Sequence, residues 1–365
     1  MIKIMAVGDT LLRTKSGEDP FKHVADLFSE ADLVLVNLET CLLKKSKRYP
    51  NVQQKSVLLY TEQEGLAWLE KYKDKLVFCL ANNHILDYGK EGYEDTVTFL
   101  QESGYMYCPI DQHRDFAVKG QVLRVYSLAE HIRHKVEYQE MMLSSPKYES
   151  ALGLINVVMI HWGDSQVLIP SLKQIDYAQK MIDAGCSIVI GNHSHTPQPL
   201  VMKGEKNAIV YSLGNFNMRS HSVKQQPVHH ITSVVQFTVS DEHTIQATQV
   251  SALINENMQP MIKQEISDYL TEINRLIPDK LDTTFERIKY KATHYAHLSS
   301  GYILGSITGG WIPRIKKYGV SHFIQMLKWM TRKNFLIHFV LLPLYPLTRP
   351  TKLLRKINRL KLSDL

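Results

Sequence analysis

Short apolar runs that end abruptly in polar residues recur through the first 215 residues of the chain. The six runs are IKIMAVGD, DLVLVNLE, KLVFCLANNH, INVVMIHWGD, CSIVIGNHSH and NAIVYSLGN. Stretches with helical spacing lie between them: PFKHVADLFSEA, TEQEGLAWLEKY, GYEDTVTFLQESG and SLKQIDYAQKMIDAG. This alternation predicts an α/β fold. Because ligands of α/β folds collect beyond the carboxyl ends of the strands, the polar tips predict one shared site.

The pattern changes in the middle of the chain. Residues 113–150 are less regular and offer no candidate chemistry; within them, 130–142 has helical spacing and 143–150 resembles a loop. Two alternating segments, 229–240 and 244–255, flank the turn-like sequence DEH. They predict an antiparallel hairpin that closes the domain.

The last third of the chain is predicted to be helical. A helix is expected at 261–277, and Pro278 marks the start of a basic remainder that contains tyrosine and tryptophan. We therefore predict an α/β domain over residues 1–260 and a helical, basic carboxyl-terminal extension over 261–365.

Charge is concentrated near the carboxyl terminus. The chain has 365 residues and a formal net charge of +7, and RPTKLLRKINRLKLSDL at its end carries six Lys or Arg residues against one Asp. This predicts contact with an anionic membrane surface or with a partner protein; a solvated helical tail is the alternative. No nucleic-acid partner is expected, because the basic residues lack interleaved aromatic side chains and a recognition helix.

Cysteine usage and the amino terminus suggest a reducing compartment. The four cysteines form no C-x-x-C pair, and MIKIMAVGD has none of the features of an export signal. The apolar segment 335–347 is interrupted by prolines and is shorter than the roughly 20 residues of a spanning helix. We expect a cytoplasmic protein, with peripheral attachment to the inner face of the membrane through the basic end as a further expectation.

Candidate metal ligands stand at the ends of the apolar runs. They are Asp9, Glu39, Asn83, His84, His161, His193 and His195. Imidazole, carboxylate and amide groups bind divalent Mn, Fe or Zn, and either one or two ions would suit this set. In an extended H-x-H segment, His193 and His195 would project to the same side of the strand. A single buried histidine is more often structural, so the prediction depends on the set as a whole.

The segment ANNHILDYGKEG contains a candidate general acid. His84 could act as a general acid, and Asp87, three residues further on, could orient its ring. An Asn-rich turn that caps the next helix is the structural alternative. Asn82 and Asn215 are candidate substrate contacts, and Gly214 in YSLGNF suggests a close backbone approach.

Six motifs in order resemble those of one known family. GDTLL, VNLET, ANNHILDYGKEG, HWGD, GNHSH and YSLGNF are similar to the CapA family of capsule poly-gamma-glutamate synthesis proteins, a branch of the calcineurin-like metallophosphoesterases. The resemblance covers roughly residues 1–260. It implies a metallophosphoesterase-like sandwich of two mixed β-sheets flanked by helices, in which the motifs converge on a metal site.

The resemblance assigns roles by position in this sequence. Asp9 matches the first metal aspartate, Glu39 an acidic residue that could bridge two metals, and Asn83 the amide ligand. His84 matches the histidine that contacts the scissile phosphate in phosphoesterase relatives. The remaining metal histidines correspond to His161, His193 and His195.

Some positions depart from the family pattern. Ser165 stands where the family usually shows Glu, Ser194 and Thr196 stand in a motif usually read as H-P-H-V, and Cys108-Pro109 replaces a Gly-Ala-Gly segment. We expect these changes to alter the pocket that faces the substrate. The resemblance implies a metal-dependent hydrolase of the phosphoesterase type that acts on an anionic capsular or cell-surface polymer or a phosphoester. A non-catalytic accessory protein for polymer assembly or export is the alternative.

Overall fold

Two mixed β-sheets pack face to face, with helices on their outer faces. The computed structural model describes residues 1–55, 57–130, 153–218, 227–278, 281–299, 349–357 and 359. Within these ranges the architecture is the α/β sandwich of two mixed sheets that the sequence and the resemblance imply, so this prediction is confirmed.

The strands follow the apolar runs closely. In chain order they are β1 (Ile2–Thr10), β2 (Leu33–Leu38), β3 (Cys41–Leu43), β4 (Tyr60–Glu62), β5 (Leu76–Cys79), β6 (Met106–Cys108), β7 (Gln112–Val118), β8 (Gln121–Ala129), β9 (Leu154–His161), β10 (Ile188–Asn192), β11 (Leu200–Lys203), β12 (Asn207–Val210), β13 (Asn215–Asn217), β14 (Ile231–Val239), β15 (Ile245–Ile254) and β16 (Pro260–Ile262). The helices are α1 (Ala25–Ser29), α2 (Gly89–Glu102), α3 (Leu172–Asp183), α4 (Ser267–Asn274), α5 (Thr284–Ser299) and α6 (Arg349–Ile357).

Both sheets have a run of parallel strands; the first has antiparallel strands at one edge only, and the second at both edges. The first sheet has the order β16-β15-β14-β1-β2-β5-β6, with β13 parallel to the end of β1. The second has the order β11-β12-β10-β9-β8-β7, and β3 and β4 form a small separate ladder. Strands β1, β2 and β5 are mutually parallel in one sheet, as are β8, β9, β10 and β12 in the other. Their carboxyl ends therefore meet at one edge of the sandwich.

Strand β1 shows why its sequence is apolar on both faces. Ile4 and Ala6 lie in the core between the two sheets, whereas Met5 and Val7 lie in the outer core under the helices. Successive strand residues point to opposite faces, so a strand covered on both sides needs apolar residues at every position. The same outer core receives Phe28 from α1 and Leu100 from α2, and both side chains are buried.

Helix α3 covers the outer face of the second sheet. Ala178 and Met181 pack in one cluster with strand residues such as Val158. The helix begins with a capping box, in which the Ser171 side chain accepts from the Gln174 backbone and the Gln174 side chain accepts from the Ser171 backbone. Such a box satisfies two of the amide groups that a helix start leaves unpaired.

Some local predictions were wrong. The region 113–150, described from sequence as irregular, contains β7 and β8, which pair through an antiparallel hairpin. Strand β7 is mostly exposed, so it shows no apolar alternation that could reveal it. The stretch 61–72 forms 3₁₀ turns after β4, and 20–31 is α-helical only at Ala25–Ser29.

The expected hairpin over 229–240 and 244–255 is confirmed as β14 and β15. The helix expected at 261–277 begins only at Ser267, because β16 adds to the sheet through Pro260–Ile262. The boundary proposed at 260 therefore falls inside a strand, and the division into two domains stays a prediction.

The described part of the extension packs against the sandwich. Leu270, Tyr290 and Leu353 join one buried cluster with Leu168. Helix α6 places Leu353 and Ile357 in this cluster, so its apolar side contacts protein; the predicted membrane or partner contact of the basic end stays a prediction. Among the residues that the structure describes, no helix is both long and apolar enough to cross a bilayer. The expectations for 131–142, 143–150 and 335–347 fall outside those residues.

Candidate metal centre

The predicted ligands converge at the carboxyl-terminal edge of both sheets. Asp9 lies near the end of β1, Glu39 follows β2, and His161 is the last residue of β9. Asn83 and His84 follow β5, and His193 and His195 follow β10. The site therefore takes side chains from two sheets, as the positions of the polar tips predict.

Two groups of three side chains have the spacing of metal ligands. The first triad is Glu39, His161 and His193; the second triad is Asp9, Glu39 and His195. Within each triad the candidate ligand atoms lie within 4.8 Å of one another. Glu39 belongs to both, so the arrangement offers two neighbouring cation positions joined by one carboxylate.

Glu39 is the most constrained acid of the site. It is fully buried, and neither carboxylate oxygen accepts a hydrogen bond from any residue in the described part of the chain. Burial, together with the negative charge of Asp9, raises the pKa of Glu39 well above its usual range. A buried carboxylate without donors is costly. A bound cation would offset this cost, so the residues present fit a metal.

The Asn83 amide oxygen adds a fourth candidate ligand to the first triad. His161 Nε2 lies 2.8 Å from Asn83 Oδ1, 2.9 Å from His193 Nδ1 and 3.5 Å from Glu39 Oε1. Carboxylate and amide oxygens only accept here, so His161 Nε2 carries a proton that a metal would replace. Ser165 Oγ lies 3.3 Å from His193 Nε2, which places this departure from the family pattern against a candidate ligand.

In the second triad, the half-buried His195 lies close to two side-chain oxygens. His195 Nδ1 lies 3.0 Å from Asp9 Oδ2 and 2.9 Å from Asn215 Oδ1. Burial alone would lower the pKa of His195, but the charges of Glu39 and Asp9 outweigh it and raise the pKa to about 9. In the metal-free protein a proton on His195 thus partly balances the carboxylates.

The backbone at the two histidines differs from the sequence prediction. Strand β10 ends at Asn192, and His193 and His195 adopt φ values of 92° and 56°. These left-handed conformations are uncommon for residues other than glycine and cluster at functional sites. The expectation of an extended H-x-H segment is therefore wrong. The turn sends the two rings into different triads, with their centroids 5.9 Å apart.

A close backbone contact positions Asp9. A Cβ atom on Gly8 would lie 1.9 Å from the carbonyl oxygen of Gly214, and the amide of Asp9 donates to that same oxygen at 3.0 Å. Only a residue without a side chain allows this approach. The close approach predicted at Gly214 is thus present, and it joins β1 to the segment that leads into β13.

His84 belongs to a buried charged cluster beside the triads. Its Nδ1 donates to Asp87 Oδ2 at 2.7 Å, and its Nε2 lies 3.9 Å from Glu39 Oε1. Asp87 also accepts from the Leu59 amide at 2.7 Å and forms an ion pair with Lys55. Burial lowers the pKa of His84, with Asp87 opposing the effect. The predicted His84–Asp87 contact is present, and it leaves His84 Nε2 facing the site.

Asn82 and Asn215 are engaged with the protein. The Asn82 amide donates to the Leu38 carbonyl at 2.7 Å and its oxygen accepts from the His84 amide at 3.0 Å. Asn215 Nδ2 donates to the His229 carbonyl at 3.2 Å. Both side chains are at most 1% exposed, so they hold loops in place. Their contact with substrate stays a prediction.

Two residues of the site were missed in the sequence. Asn37 Nδ2 donates to Asp9 Oδ1 at 2.7 Å and lies 3.2 Å from His161 Nδ1, so it links the two sheets. A polar residue inside the apolar strand LVLVNL was the available signal. Lys55 donates to the Asn83 carbonyl at 2.7 Å and pairs with Asp87, but it lies in a loop without periodic pattern and gave no signal.

Comparison with known proteins agrees with the motifs. The family described as bacterial capsule synthesis protein PGA_cap matches residues 3–113 and 128–220. The capsule biosynthesis protein CapA of Bacillus anthracis is 29% identical over 220 residues, covering 54% of this chain and 53% of that protein. The PGA biosynthesis protein CapA of Bacillus subtilis (strain 168) is 28% identical over 240 residues, covering 55% and 57%. The chain thus spans about half the length of these relatives.

Among solved structures, a phosphatase of Mycoplasma pneumoniae is similar with a TM-score of 0.42 and 15% identity, covering 68% of this chain and 93% of that one. The family match extends over more than half of the sequence and includes every strand end that carries a predicted metal ligand. The resemblance seen in the motifs is confirmed: the chain belongs to the bacterial capsule synthesis protein family PGA_cap.

Proposed function

We propose that the protein is a divalent-metal-dependent hydrolase that cleaves a phosphoester or a related anionic bond during the synthesis of an anionic capsular or cell-surface polymer. The observation that carries this proposal is Glu39, a buried carboxylate shared by two ligand triads, whose oxygens accept no hydrogen bond from the described residues. A structural core would satisfy or exclude such a group.

The ligand set fits one or two divalent ions of Mn, Fe or Zn. Asn83 joins Glu39, His161 and His193 as holders of one ion, and Asp9, Glu39 and His195 would hold the other. Mixed imidazole and oxygen donors suit these metals better than Mg or Ca, which prefer oxygen alone. When bound, such ions lower the pKa of water and stabilise the negative charge that develops on the reacting group.

His84 is the proposed proton carrier. Because Nδ1 donates to Asp87, the proton in transit resides on Nε2, the nitrogen that faces Glu39. The lowered pKa leaves the ring neutral in the free protein. An anionic substrate next to Nε2 would raise this pKa and allow His84 to take up a proton and donate it to the leaving oxygen.

Lys55 and Asp87 fix the orientation of His84. The ammonium of Lys55 bonds both the Asp87 carboxylate and the Asn83 carbonyl, so it joins the proton carrier to a candidate metal ligand. The Lys55 side chain is only 13% exposed. A buried ion pair of this kind contributes more to a specific geometry than to net stability. We therefore assign Lys55 a positioning role.

The proposed substrate class is inferred from the names of related proteins. Two relatives carry names that refer to capsule or PGA biosynthesis, and the chain is similar to them over about half of their length. An anionic polymer is therefore the proposed substrate class.

A non-catalytic accessory protein for polymer assembly or export is the second candidate. It is favoured by Ser165, which stands where the family usually has Glu and which contacts His193. In this alternative the metal centre binds an anionic chain without cleaving it. Polymer that stays bound and intact on the metal-loaded protein would support it.

The test combines metal analysis with an ester screen. Protein purified without chelator is compared with Asp9→Ala and His161→Ala variants, and His113→Ala serves as a control because His113 is an exposed histidine on β7. We expect wild type and control to hold one or two equivalents of metal and to hydrolyse the same phosphoesters, and both site variants to lose metal and turnover. Wild-type turnover in both site variants would contradict hydrolysis at this site.

A further inference from the structure

Two helices enclose a cavity of about 560 Å³ beside the loop that follows His161. One wall is a single face of α3, since its lining residues are spaced by three, four and seven positions. These residues are Lys173, Asp176, Tyr177 and Lys180. The opposite wall is a single face of α5. Its lining residues are Arg287, Lys291, His294 and Tyr295.

The acidic groups of the cavity are already engaged. Glu130 pairs with Lys173 at 2.5 Å. Asp176 accepts from Arg287 at 2.7 and 2.9 Å. The third acid, Asp164, lies 3.4 Å from His294 Nε2. The lining thus carries four Lys or Arg cations against three carboxylates, a formal net charge of +1 with His294 neutral.

Two lysines remain without a carboxylate partner among the described residues. They are Lys180 on α3 and Lys291 on α5, and both are exposed. Their ammonium groups lie 5.7 Å from the ring centroid of Tyr177 and 5.8 Å from that of Tyr295. Each wall thus presents one ammonium group beside an aromatic ring, and the charge available to a ligand is positive.

Part of the cavity is lined by residues that directly follow a candidate metal ligand in the sequence. Gly163 and Asp164 line it and directly follow His161 and Trp162, and the next residue, Ser165, contacts His193. The family match ends at residue 220, so the wall formed by α5 lies outside the shared region. The cavity therefore combines a wall within the region matched by the family with a wall outside it.

We infer that this cavity binds a polycarboxylate segment of an anionic polymer and holds the chain beside the metal centre. The inference rests on the proposed function for its substrate class. A single phosphate is best held by converging donors, above all a free Arg fork, but Arg287 already donates through Nη2 to both oxygens of Asp176. Separate ammonium groups on opposite walls instead suit a chain with one charge on each unit. A cavity of this size lies within the range of roughly 300–1,000 Å³ typical of ligand sites.

The test is the binding of a fluorescent oligo-γ-glutamate to the full-length protein in chelator, so that the metal centre does not contribute. The test variant is Lys180→Gln with Lys291→Gln. The control is Lys203→Gln with Lys206→Gln, which removes two exposed lysines at the turn between β11 and β12. We expect the dissociation constant to rise about tenfold in the test variant, as for two partly screened charge contacts, and to stay near wild type in the control.

Equal binding by both variants would overturn the inference, as would tighter binding of single-stranded DNA of the same length. Equal melting temperatures of the variants and wild type confirm that folding is unchanged. The proposed function is judged separately from hydrolysis of a small phosphoester by metal-loaded protein. Failure of that hydrolysis leaves the binding result intact, whereas normal hydrolysis with unaltered polymer binding in the cavity variant refutes only the inference.

Discussion

Replacing Glu39 by glutamine should separate the stability of the metal-free protein from its capacity to bind metal. Glu39→Gln keeps the size and shape of the side chain and removes a buried negative charge next to Asp9. Neither oxygen of Glu39 accepts a hydrogen bond from a described residue. We expect the metal-free variant to be more stable than wild type, because this charge is desolvated and only partly balanced by the proton on His195.

The expected change in the free energy of unfolding follows from the burial of Glu39 and from its lack of hydrogen-bond donors. The glutamine amide keeps the cost of a buried polar group without a partner, about 1–3 kcal/mol, whereas the buried charge costs more, so we expect a net gain of about 2 kcal/mol at neutral pH. The pH dependence has a definite sign. Because the pKa of Glu39 is raised above its ordinary value of 4.5, the metal-free wild type loses stability as the pH rises above that value. The advantage of the variant should therefore grow from pH 5 to pH 7.

Metal addition should reverse the order of stability. An ion present at about 100 times its Kd stabilises the folded state by about 2.7 kcal/mol, and the variant should gain far less because both triads lose their shared carboxylate. Urea unfolding in excess chelator and in excess manganese or zinc measures both effects. Glu94→Gln, at an exposed position on α2, is the matched control. The reasoning is refuted if Glu39→Gln is less stable than wild type in chelator, or if metal stabilises both equally.

Three further predictions concern residues around the site and the core. Lys55→Met should destabilise the protein by about 3 kcal/mol in urea unfolding, because the Asp87 carboxylate stays buried without its cation, and adding Asp87→Asn should restore part of this loss. Gly8→Ala should cost about 3 kcal/mol and lower the bound metal in elemental analysis, since a Cβ would lie 1.9 Å from the Gly214 carbonyl oxygen. Burial lowers the pKa of His297 to about 3, so wild type should lose about 2 kcal/mol of stability between pH 7.5 and 5, and His297→Gln should lose less in unfolding at the two pH values.

Each of these has an outcome that would contradict it. For Lys55, the argument fails if the double variant is no more stable than Lys55→Met. For Gly8, unchanged stability and metal content would show that the contact with Gly214 relaxes freely. His297 Nε2 accepts from the Leu168 amide at 2.9 Å, a bond that glutamine can reproduce. An identical loss of stability on acidification in wild type and variant would exclude His297 as the titrating group.

The sequence was most informative where strands are buried on both faces. Runs such as IKIMAVGD need apolar residues at nearly every position before their polar end, so they are visible in the sequence, and the polar ends locate the ligands. The exposed edge strand β7 has no such constraint and was missed. Residues 61–72 have helical spacing but form 3₁₀ turns, which shows that tertiary packing can override a local pattern.

The geometry of the site was less predictable than its composition. The seven candidate ligands come together, but the division of five of them between two triads depends on the left-handed turn at His193 and His195. An H-x-H spacing carries no information on that turn. Lys55 lies in an irregular loop, and only the folded chain brings it to Asp87. Chemical types at strand ends can therefore be predicted from sequence, whereas contacts made by loops depend on the assembled fold.

Because the candidate ligands come from both sheets, folding must precede binding of the proposed metal. Asp9 comes from the first strand of the chain, and His161 and His195 from strands that are synthesised much later. Neither half holds a complete triad, so the ion has nowhere to bind until the two sheets have closed on each other. Contacts between residues so distant in the chain form slowly. The proposed metal can therefore bind only after both sheets have formed and packed together, and it does not nucleate the fold.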